Sequence, residues 1–198
     1  MSDAVLRGLA GVDGGAVDAD IALARRLAAG DRAAMEEVYA RHARALLGYI
    51  RHRTSDPGLA EEVLQETLVA AWQGAARFGG RSSLRTWLIG IARRQALQAV
   101  RRRRLPLADG AGPEGRATPD TEPESVMLAA ADREELAAAM RGLSPLHREV
   151  IVLTFVYGLS YPELTRCLGV PLGTVKSRLS NAKRAMRAAL AGRGGERG

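Results

Sequence analysis

The chain has 198 residues, enough for one domain or two small ones with buried apolar cores. A single cysteine and three histidines exclude a disulfide framework and leave no ligand spacing for a structural zinc, so we expect no metal and no other cofactor. No apolar run approaches the roughly 18 residues of a membrane span and no leader pattern is visible, which predicts a cytoplasmic protein without direct membrane insertion.

The composition favours helices throughout, because alanine, leucine, arginine and glutamate dominate and alternating β-branched runs are scarce. We therefore predict an all-α fold. Residues 1–19 are rich in Gly, Ala and Asp without periodicity and are predicted to form a disordered tail. A short helix is expected over about 20–29, and Asp31 can cap a longer one that runs to about Arg53.

The longer helix carries an apolar stripe that includes Tyr39 and His42. We interpret His42 as a core histidine, which is a more common role on such a stripe than that of a ligand or a catalytic group. The residues Ser55 to Gly58 predict a turn that reverses the chain. A third helix is expected from Leu59 to about Ala76.

A basic segment runs from Arg81 to Arg104 and contains eight arginines and no acidic residue. The whole chain carries a net charge of +7, so the rest of it sums to about minus one. Positive charge that is confined to one segment predicts a surface facing a polyanion, and nucleic acid is the favoured interpretation. The alternative is a basic helix end that is merely solvated.

A loop followed by a helix is predicted at the start of this segment. Gly79-Gly80 interrupts the chain, and Ser82 or Ser83 can cap a helix whose apolar stripe includes Trp87. Arg77-Phe78 would then lie on an exposed loop. An aromatic ring and arginines at a loop tip suit unstacked bases and phosphates better than a closed duplex. The alternative makes both aromatic residues ordinary core, and for Trp87 it is favoured.

The composition changes abruptly over residues 105–124, which contain four prolines, three glycines and a net charge of minus four. This segment is predicted to be a flexible acidic linker. An alanine-rich helix is expected over 126–143. Ser144-Pro145 then predicts the capped start of a helix through about Tyr157, with Phe155 facing a second core.

The last third of the chain predicts a helix-turn-helix. Ser160 and Glu163 form a capping box, Gly169 supplies the turn, and a longer helix begins near Leu172. The stripe that includes Val175 would face the first helix of the pair. Basic and polar side chains would then point outward from the second helix, which is the arrangement that enters the major groove of DNA.

Four stretches of the chain, in this order and with these gaps, resemble extracytoplasmic-function (ECF) RNA polymerase sigma factors of the σ70 family. They read AGDRAAMEEVYARHARALLGYI, DPGLAEEVLQETLVAAW, FGGRSSLRTWLIGIAR and LSPLHREVIVLTFVYGLSYPELTRCLGVPLGTVKSRL. The resemblance implies a σ2-like four-helix domain over 20–104 and a σ4-like helix-turn-helix domain over 125–190, with a tail over 191–198. It also implies a function without enzymatic activity, namely binding core RNA polymerase and directing it to promoter DNA.

The resemblance further assigns residues to three surfaces. The surface for the clamp helices of the polymerase β′ subunit comprises Glu62, Gln65, Glu66 and Trp72. The surface for the minus-ten element, with its flipped non-template base, comprises Arg77, Phe78, Gly79, Gly80, Arg81, Ser82, Arg85 and Arg94. The surface for the minus-thirty-five element comprises Thr174, Lys176, Ser177, Arg178, Ser180, Asn181, Lys183 and Arg184. The polymerase β flap is the expected partner of the σ4-like domain.

Such sigma factors are usually held by a dedicated anti-sigma factor that covers the polymerase-docking surfaces and is often membrane-anchored. The expected location is therefore the nucleoid, or the membrane while the partner is bound. Three positions depart from the family pattern: Arg94 stands where Asn is frequent, Thr165 replaces a small residue, and Ser180-Asn181 replaces a bulkier or basic pair.

Two other classes of protein were weighed against the resemblance. A transcriptional regulator of the LuxR kind also ends in a helix-turn-helix, but it would need neither the basic segment nor the acidic linker. A hydrolase built on His147 with Ser144 or Ser160 lacks a nucleophile elbow and a third partner. The sequence also lacks the glycine loop with lysine that cradles phosphates, so promoter melting is expected without nucleotide hydrolysis.

Overall fold

The computed structural model describes residues 14–54, 56–104 and 130–194, and all secondary structure within these ranges is helical. The described residues form two compact units, 14–104 (the first unit) and 130–194 (the second unit). The all-α prediction with two helical domains is confirmed. The predicted linker over 105–124, the start of the helix expected from residue 126, and most of both predicted tails lie outside the described residues.

Four helices and a short 3₁₀ turn build the first unit. They are α1 (Gly14–Ala28), α2 (Arg32–Thr54), α3 (Pro57–Gly74), the 3₁₀ turn (Ala75–Arg77) and α4 (Leu84–Arg104). Their apolar stripes meet in one core, in which the largest fully buried side chains include Leu27, Tyr49, Ile50 and Leu88. The aligned stripes on four helices explain why the unit is a bundle.

The first helix begins at Gly14, so the prediction that residues 14–19 belong to a disordered tail was wrong. Leu23, Ala24 and Leu27 are buried, and the half-buried Val17 and Ile21 extend the same stripe toward the N-terminus at helical spacing. Because these two side chains find apolar neighbours, the helix gains an additional turn. The Gly and Ala residues around Val17 obscure the apolar pattern, so the sequence did not predict this additional turn.

The third helix begins earlier than predicted, at Pro57 in place of Leu59. Asp56 caps it, since the Leu59 amide donates to Asp56 Oδ1 at 3.1 Å, and Pro57 occupies the first helical position, where no amide is needed. This hydrogen bond, together with the ion pair that Arg103 makes, lowers the pKa of the Asp56 carboxyl. Pro57 and Gly58 were predicted as part of a turn but lie inside the helix.

On α2, Val38 and Tyr49 are fully buried, whereas Tyr39 is 55% exposed. The prediction that Tyr39 lies on the apolar stripe was therefore wrong, because it occupies the border of that stripe, about 100° around the helix from Val38. His42 is half-buried, and burial lowers its pKa. This agrees with its interpretation as a core histidine.

The second unit consists of α5 (Ala130–Arg141), α6 (Pro145–Ile151), a π-helical turn (Val152–Val156), α7 (Tyr161–Leu168) and α8 (Leu172–Gly194). Ser144 caps α6 as predicted, because the His147 amide donates to its hydroxyl oxygen at 3.3 Å. The half-buried Arg148 joins α6 to the end of α5 by donating to the carbonyl oxygens of Met140 and Arg141 at 2.9 and 2.8 Å.

The π-helical turn changes which side chains of this segment are buried. The Tyr157 amide donates to the Val152 carbonyl oxygen, so the turn accommodates one residue more than an α-helical turn. Leu153 and Tyr157 are consequently buried, while Phe155 is 53% exposed, so the prediction that it faces the core was wrong.

The final helix, α8, continues to Gly194, so residues 191–194, predicted as part of a tail, are helical.

Candidate nucleic-acid and polymerase interfaces

A short loop over residues 78–83 (the glycine loop) joins the 3₁₀ turn to α4. Arg77, the residue just before this loop, and Arg81, within it, are exposed as predicted. Phe78 is only half-buried at this point, and its ring contacts that of Trp87 with centroids 5.5 Å apart and planes tilted by 59°. The expectation that Phe78 is exposed was therefore wrong, since packing against Trp87 covers part of the ring.

The glycine loop is fixed to the rest of the first unit at two further points. Gly80 has a φ of 64°, and a Cβ atom there would lie 2.6 Å from Ile21 Cδ1 on α1. The positive φ favours glycine here, and a larger residue would also require the Ile21 side chain to shift. At the end of the loop, the Leu84 amide donates to Asp20 Oδ2 at 2.6 Å.

Ser83 caps α4 as predicted, because the Thr86 amide donates to its hydroxyl oxygen at 3.1 Å. Asp20 supplies a second cap that the sequence analysis missed. It lies 64 residues before Leu84, so no local spacing could have revealed it. The glycine loop thus has a defined path, with the exposed Arg77 just before it and the exposed Arg81 within it.

Two other arginines assigned to the minus-ten surface lie on α4 itself. Arg85 is half-buried in the first turn, and Arg94 is exposed nine residues further along. Nine residues of α-helix correspond to a rotation of about 180°, so the two side chains leave opposite faces of α4. The structure therefore brings Arg85 close to the glycine loop and directs Arg94 elsewhere.

The end of the basic segment is partly neutralised within the first unit. Arg102 donates to Glu66 Oε1 at 2.8 Å, and Arg103 forms an ion pair with Asp56. Both pairs join the C-terminal end of α4 to α3. Both arginines remain more than half exposed, so the prediction of a polyanion-facing surface stays a prediction for them, with part of their charge offset by Glu66 and Asp56.

The residues assigned to polymerase binding lie on α3, with Gln65 and Glu66 three and four residues after Glu62 and Trp72 seven residues after Gln65. Glu62 and Gln65 are exposed and Trp72 is 38% exposed, whereas Glu66 is half-buried and bonded to Arg102. Val69 was missed by the sequence analysis, although it lies four residues after Gln65 and three before Trp72, and it is 55% exposed. We define the docking face as Glu62, Gln65, Val69 and Trp72. Val69 and Trp72 lie one helical turn apart and form a small exposed apolar strip, which a protein partner would bury.

The predicted helix-turn-helix is present in the second unit. The Ser160 amide donates to Glu163 Oε2 at 3.0 Å, which completes the capping box at the start of α7. Gly169 ends this helix with a φ of 67° and a ψ of 34°, and its amide donates to the Thr165 carbonyl oxygen at 2.9 Å. Val175 of α8 is fully buried, as predicted.

Side chains project from α8 in more than one direction. Lys176, Ser177 and Ser180 are exposed, and Arg178 is half-buried. Residues two apart on a helix project about 200° from each other, so Lys176 and Arg178 occupy opposite flanks. Ser177 lies between these flanks.

Several of the remaining α8 residues interact within the second unit. Arg184 donates to Asn181 Oδ1 at 2.9 Å, and the Ser177 hydroxyl donates to the Thr174 carbonyl oxygen at 3.0 Å. The half-buried Lys183 places its ammonium group 5.3 Å from the centroid of the Phe155 ring. Lys183 therefore lies at the surface, with its ammonium group directed toward this exposed ring. This cation–π contact partly covers the ring that the π-helical turn exposes.

Within the part of the chain that the structure describes, no group of three or more His, Cys, Asp or Glu residues is arranged to hold a metal ion. None of the described helices is both long and apolar enough to cross a membrane.

Two family matches, one in each unit, define the class of protein, namely sigma factors of the σ70 type. The Sigma-70 region 2 family matches residues 38–105, and the Sigma-70 region 4 family matches residues 133–186. The ECF RNA polymerase sigma factor SigL of Mycobacterium tuberculosis is 37% identical over 164 residues, which cover 82% of this chain and 92% of SigL. SigK of Mycobacterium bovis is 31% identical over 178 residues, covering 85% and 92%. The chain belongs to the ECF sigma factors, which act in transcription initiation.

Solved structures of sigma factors share this fold. CnrH in complex with the cytosolic domain of CnrY matches with a TM-score of 0.63 and 28% identity, covering 88% of this chain and 99% of CnrH. The sigma factor RpoE of Bartonella quintana, in complex with the anti-sigma factor NepR, matches with a TM-score of 0.63 and 26% identity, covering 79% and 96%. The family match over residues 38–105 removes the LuxR-type alternative, which has no need of region 2.

Proposed function

We propose that the first unit binds and opens the minus-ten element of a promoter while the second unit binds the closed minus-thirty-five element. Core RNA polymerase would be bound through the docking face on α3, against the clamp helices of its β′ subunit, and through the second unit, against the β flap. The observation that carries this proposal is the glycine loop, whose fixed path presents the exposed Arg77 and Arg81.

The free-energy cost of opening the promoter can be met by contacts with this loop. Unpairing and flipping one base costs a few kcal/mol, and stacking on an aromatic side chain returns roughly 1–3 kcal/mol per base. Because Phe78 is partly covered by Trp87, only part of its ring is available for stacking. The phosphate contacts of Arg77 and Arg81 would supply the rest, so opening needs no nucleotide hydrolysis.

The geometry of α8 supports separate residues for phosphate contacts and for base contacts in the major groove. Lys176 and Arg178 lie on opposite flanks, where they would meet the phosphates on the two walls of the groove. Ser177 lies between the flanks and would approach the edges of the bases. Asn181 already accepts a hydrogen bond from Arg184, so the two would act as one pre-oriented group.

Regulation by an anti-sigma factor is also proposed. The relative RpoE is described in complex with the anti-sigma factor NepR, and CnrH with the cytosolic domain of CnrY. In this chain, Val69 and Trp72 leave an apolar strip exposed on the docking face. A partner that buries this strip would exclude core polymerase by competition for the same residues.

The test is run-off transcription by core polymerase and the purified chain, on a promoter selected from a template library randomised across both elements. A Phe78→Ala variant and an Arg77→Ala/Arg81→Ala variant should form closed complexes normally but leave the thymines of the bubble less reactive to permanganate. Arg32→Ala/Arg51→Ala, which removes two exposed arginines from α2, is the charge-matched control for the double variant. Normal permanganate reactivity in both variants would refute the proposed role of the loop.

A further inference from the structure

Helix α1 lies before residue 38, where the region 2 match begins, and yet it contacts the glycine loop at two points. We propose that Asp20 is a positioning residue for promoter opening. Its carboxylate fixes the start of α4 and, together with the contact between Ile21 and Gly80, holds the loop in the shape that receives an unpaired base. This inference rests on the function proposed above for the loop.

The buried amide of Leu84 requires a hydrogen-bond acceptor, and Asp20 supplies it. Leu84 is the first residue of α4 and is completely buried, so water cannot reach its amide, and no intrahelical carbonyl is available to a first-turn amide. Asp20 Oδ2 accepts this hydrogen bond at 2.6 Å. A carboxylate near a helix N-terminus is also favoured by the helix dipole.

The second contact lies in the middle of the loop. Gly80 sits so close to α1 that an added Cβ atom would be 2.6 Å from Ile21 Cδ1 and 3.6 Å from Val17 Cγ1. Phe78 is held separately by Trp87. The loop is therefore fixed at its beginning, middle and end, and two of these three points depend on α1. Arg81 lies between those two points, so its position depends directly on them.

A purely structural role for Asp20 would predict a different pattern of defects. If Asp20 only stabilised the fold, its removal would lower thermal stability, core binding and closed-complex formation together. If it positions the loop, its removal would affect the loop and promoter opening while core binding persists, because the docking face lies on α3. Asp20→Asn should restore much of the function, because an asparagine oxygen can cap a helix as a carboxylate does.

The experiment compares Asp20→Ala and Asp20→Asn with Asp18→Ala, which removes an exposed carboxylate from the same helix. Hydrogen exchange of the free full-length chain reports on the loop, and permanganate reactivity with core polymerase reports on opening. Asp20→Ala should speed exchange around Leu84 and slow opening about fivefold, the effect expected from loss of one helix cap. Asp20→Asn should lie within about twofold of the unaltered chain, as should Asp18→Ala, and all three variants should bind core polymerase normally.

Two results would overturn the inference. One is an Asp20→Ala variant that opens promoters at the normal rate, and the other is an equal loss of core binding and opening. The Arg77→Ala/Arg81→Ala variant separates this failure from that of the proposed function. If that variant is defective and Asp20→Ala is normal, only the positioning role is wrong. If both open promoters normally, the proposed role of the glycine loop is wrong as well.

Discussion

The glycine loop and helix α8 are both candidate nucleic-acid surfaces, but they are built in different ways. Helix α8 presents its residues through helical periodicity alone, with one face packed on the second unit and the others exposed. The glycine loop owes its path to Asp20 and Ile21, which are about 60 residues away in the chain. On a surface built by one helix, replacing one side chain should leave the positions of the others unchanged. The glycine loop depends on contacts that lie outside it.

The largest expected difference concerns two glycines with the same backbone conformation. Gly80 and Gly169 have φ values of 64° and 67°, but an added Cβ atom would clash only at Gly80. We expect Gly169→Ala to cost about 1–2 kcal/mol of unfolding free energy, and Gly80→Ala about 2–3 kcal/mol, because the Ile21 side chain must also move, together with an opening defect of about tenfold. Thermal unfolding and permanganate reactivity measure the two quantities. Equal losses of stability at the two positions would contradict the importance of the contact with Ile21.

The docking face on α3 resembles α8 in being built by one helix, and its residues should therefore contribute independently. Trp72→Ala should weaken core binding about tenfold or more, because exposed tryptophans dominate protein interfaces. Glu66→Gln should change it by no more than about twofold, since Glu66 is half-buried and bonded to Arg102. Titration of labelled core polymerase gives both affinities. A larger loss for Glu66→Gln would mean that Arg102 releases this carboxylate in the complex.

A smaller effect on DNA affinity is expected from Lys176 and Arg178, which lie on the flanks of α8. If Lys176 and Arg178 bind phosphates, replacing either with alanine should weaken duplex binding about three- to tenfold on every sequence. It should also reduce the slope of log affinity against log salt by about one. Fluorescence anisotropy at several salt concentrations tests this. A changed base preference with an unchanged salt slope would instead assign these residues to base reading.

The smallest expected effect is a pH dependence of the first unit. Burial lowers the pKa of His42, with a lesser contribution from Arg85 and Arg41, while Asp20 acts in the opposite direction. The unfolded chain therefore binds the proton more readily than the folded one, and stability falls as the pH drops below about 6.5. Thermal unfolding at about pH 7.5 and about pH 5.5 should show a loss that His42→Gln reduces. An identical loss in that variant would assign the effect to other groups.

The comparison between the two surfaces also explains what the sequence could predict. Helix periodicity and capping residues were sufficient for the start of α8, Gly169, the capping box at Ser160 and the cap at Ser144, because these signals are local. The pairing of Arg102 with Glu66 and the cap from Asp20 were not predictable, since they join segments that are far apart in the chain. Phe155 was misjudged for a different reason. A π-helical turn changes the register by one residue, and the sequence contains no clear signal for it.

The central claim is that the first unit holds single-stranded DNA and the second unit holds duplex DNA. It is tested most directly by measuring holoenzyme affinity for two probes, a single-stranded non-template minus-ten oligonucleotide and a duplex carrying only the minus-thirty-five element. We predict that Arg81→Ala weakens binding to the single strand and leaves the duplex unchanged, whereas Lys176→Ala does the reverse. Equal weakening of both probes by either variant would contradict the claim.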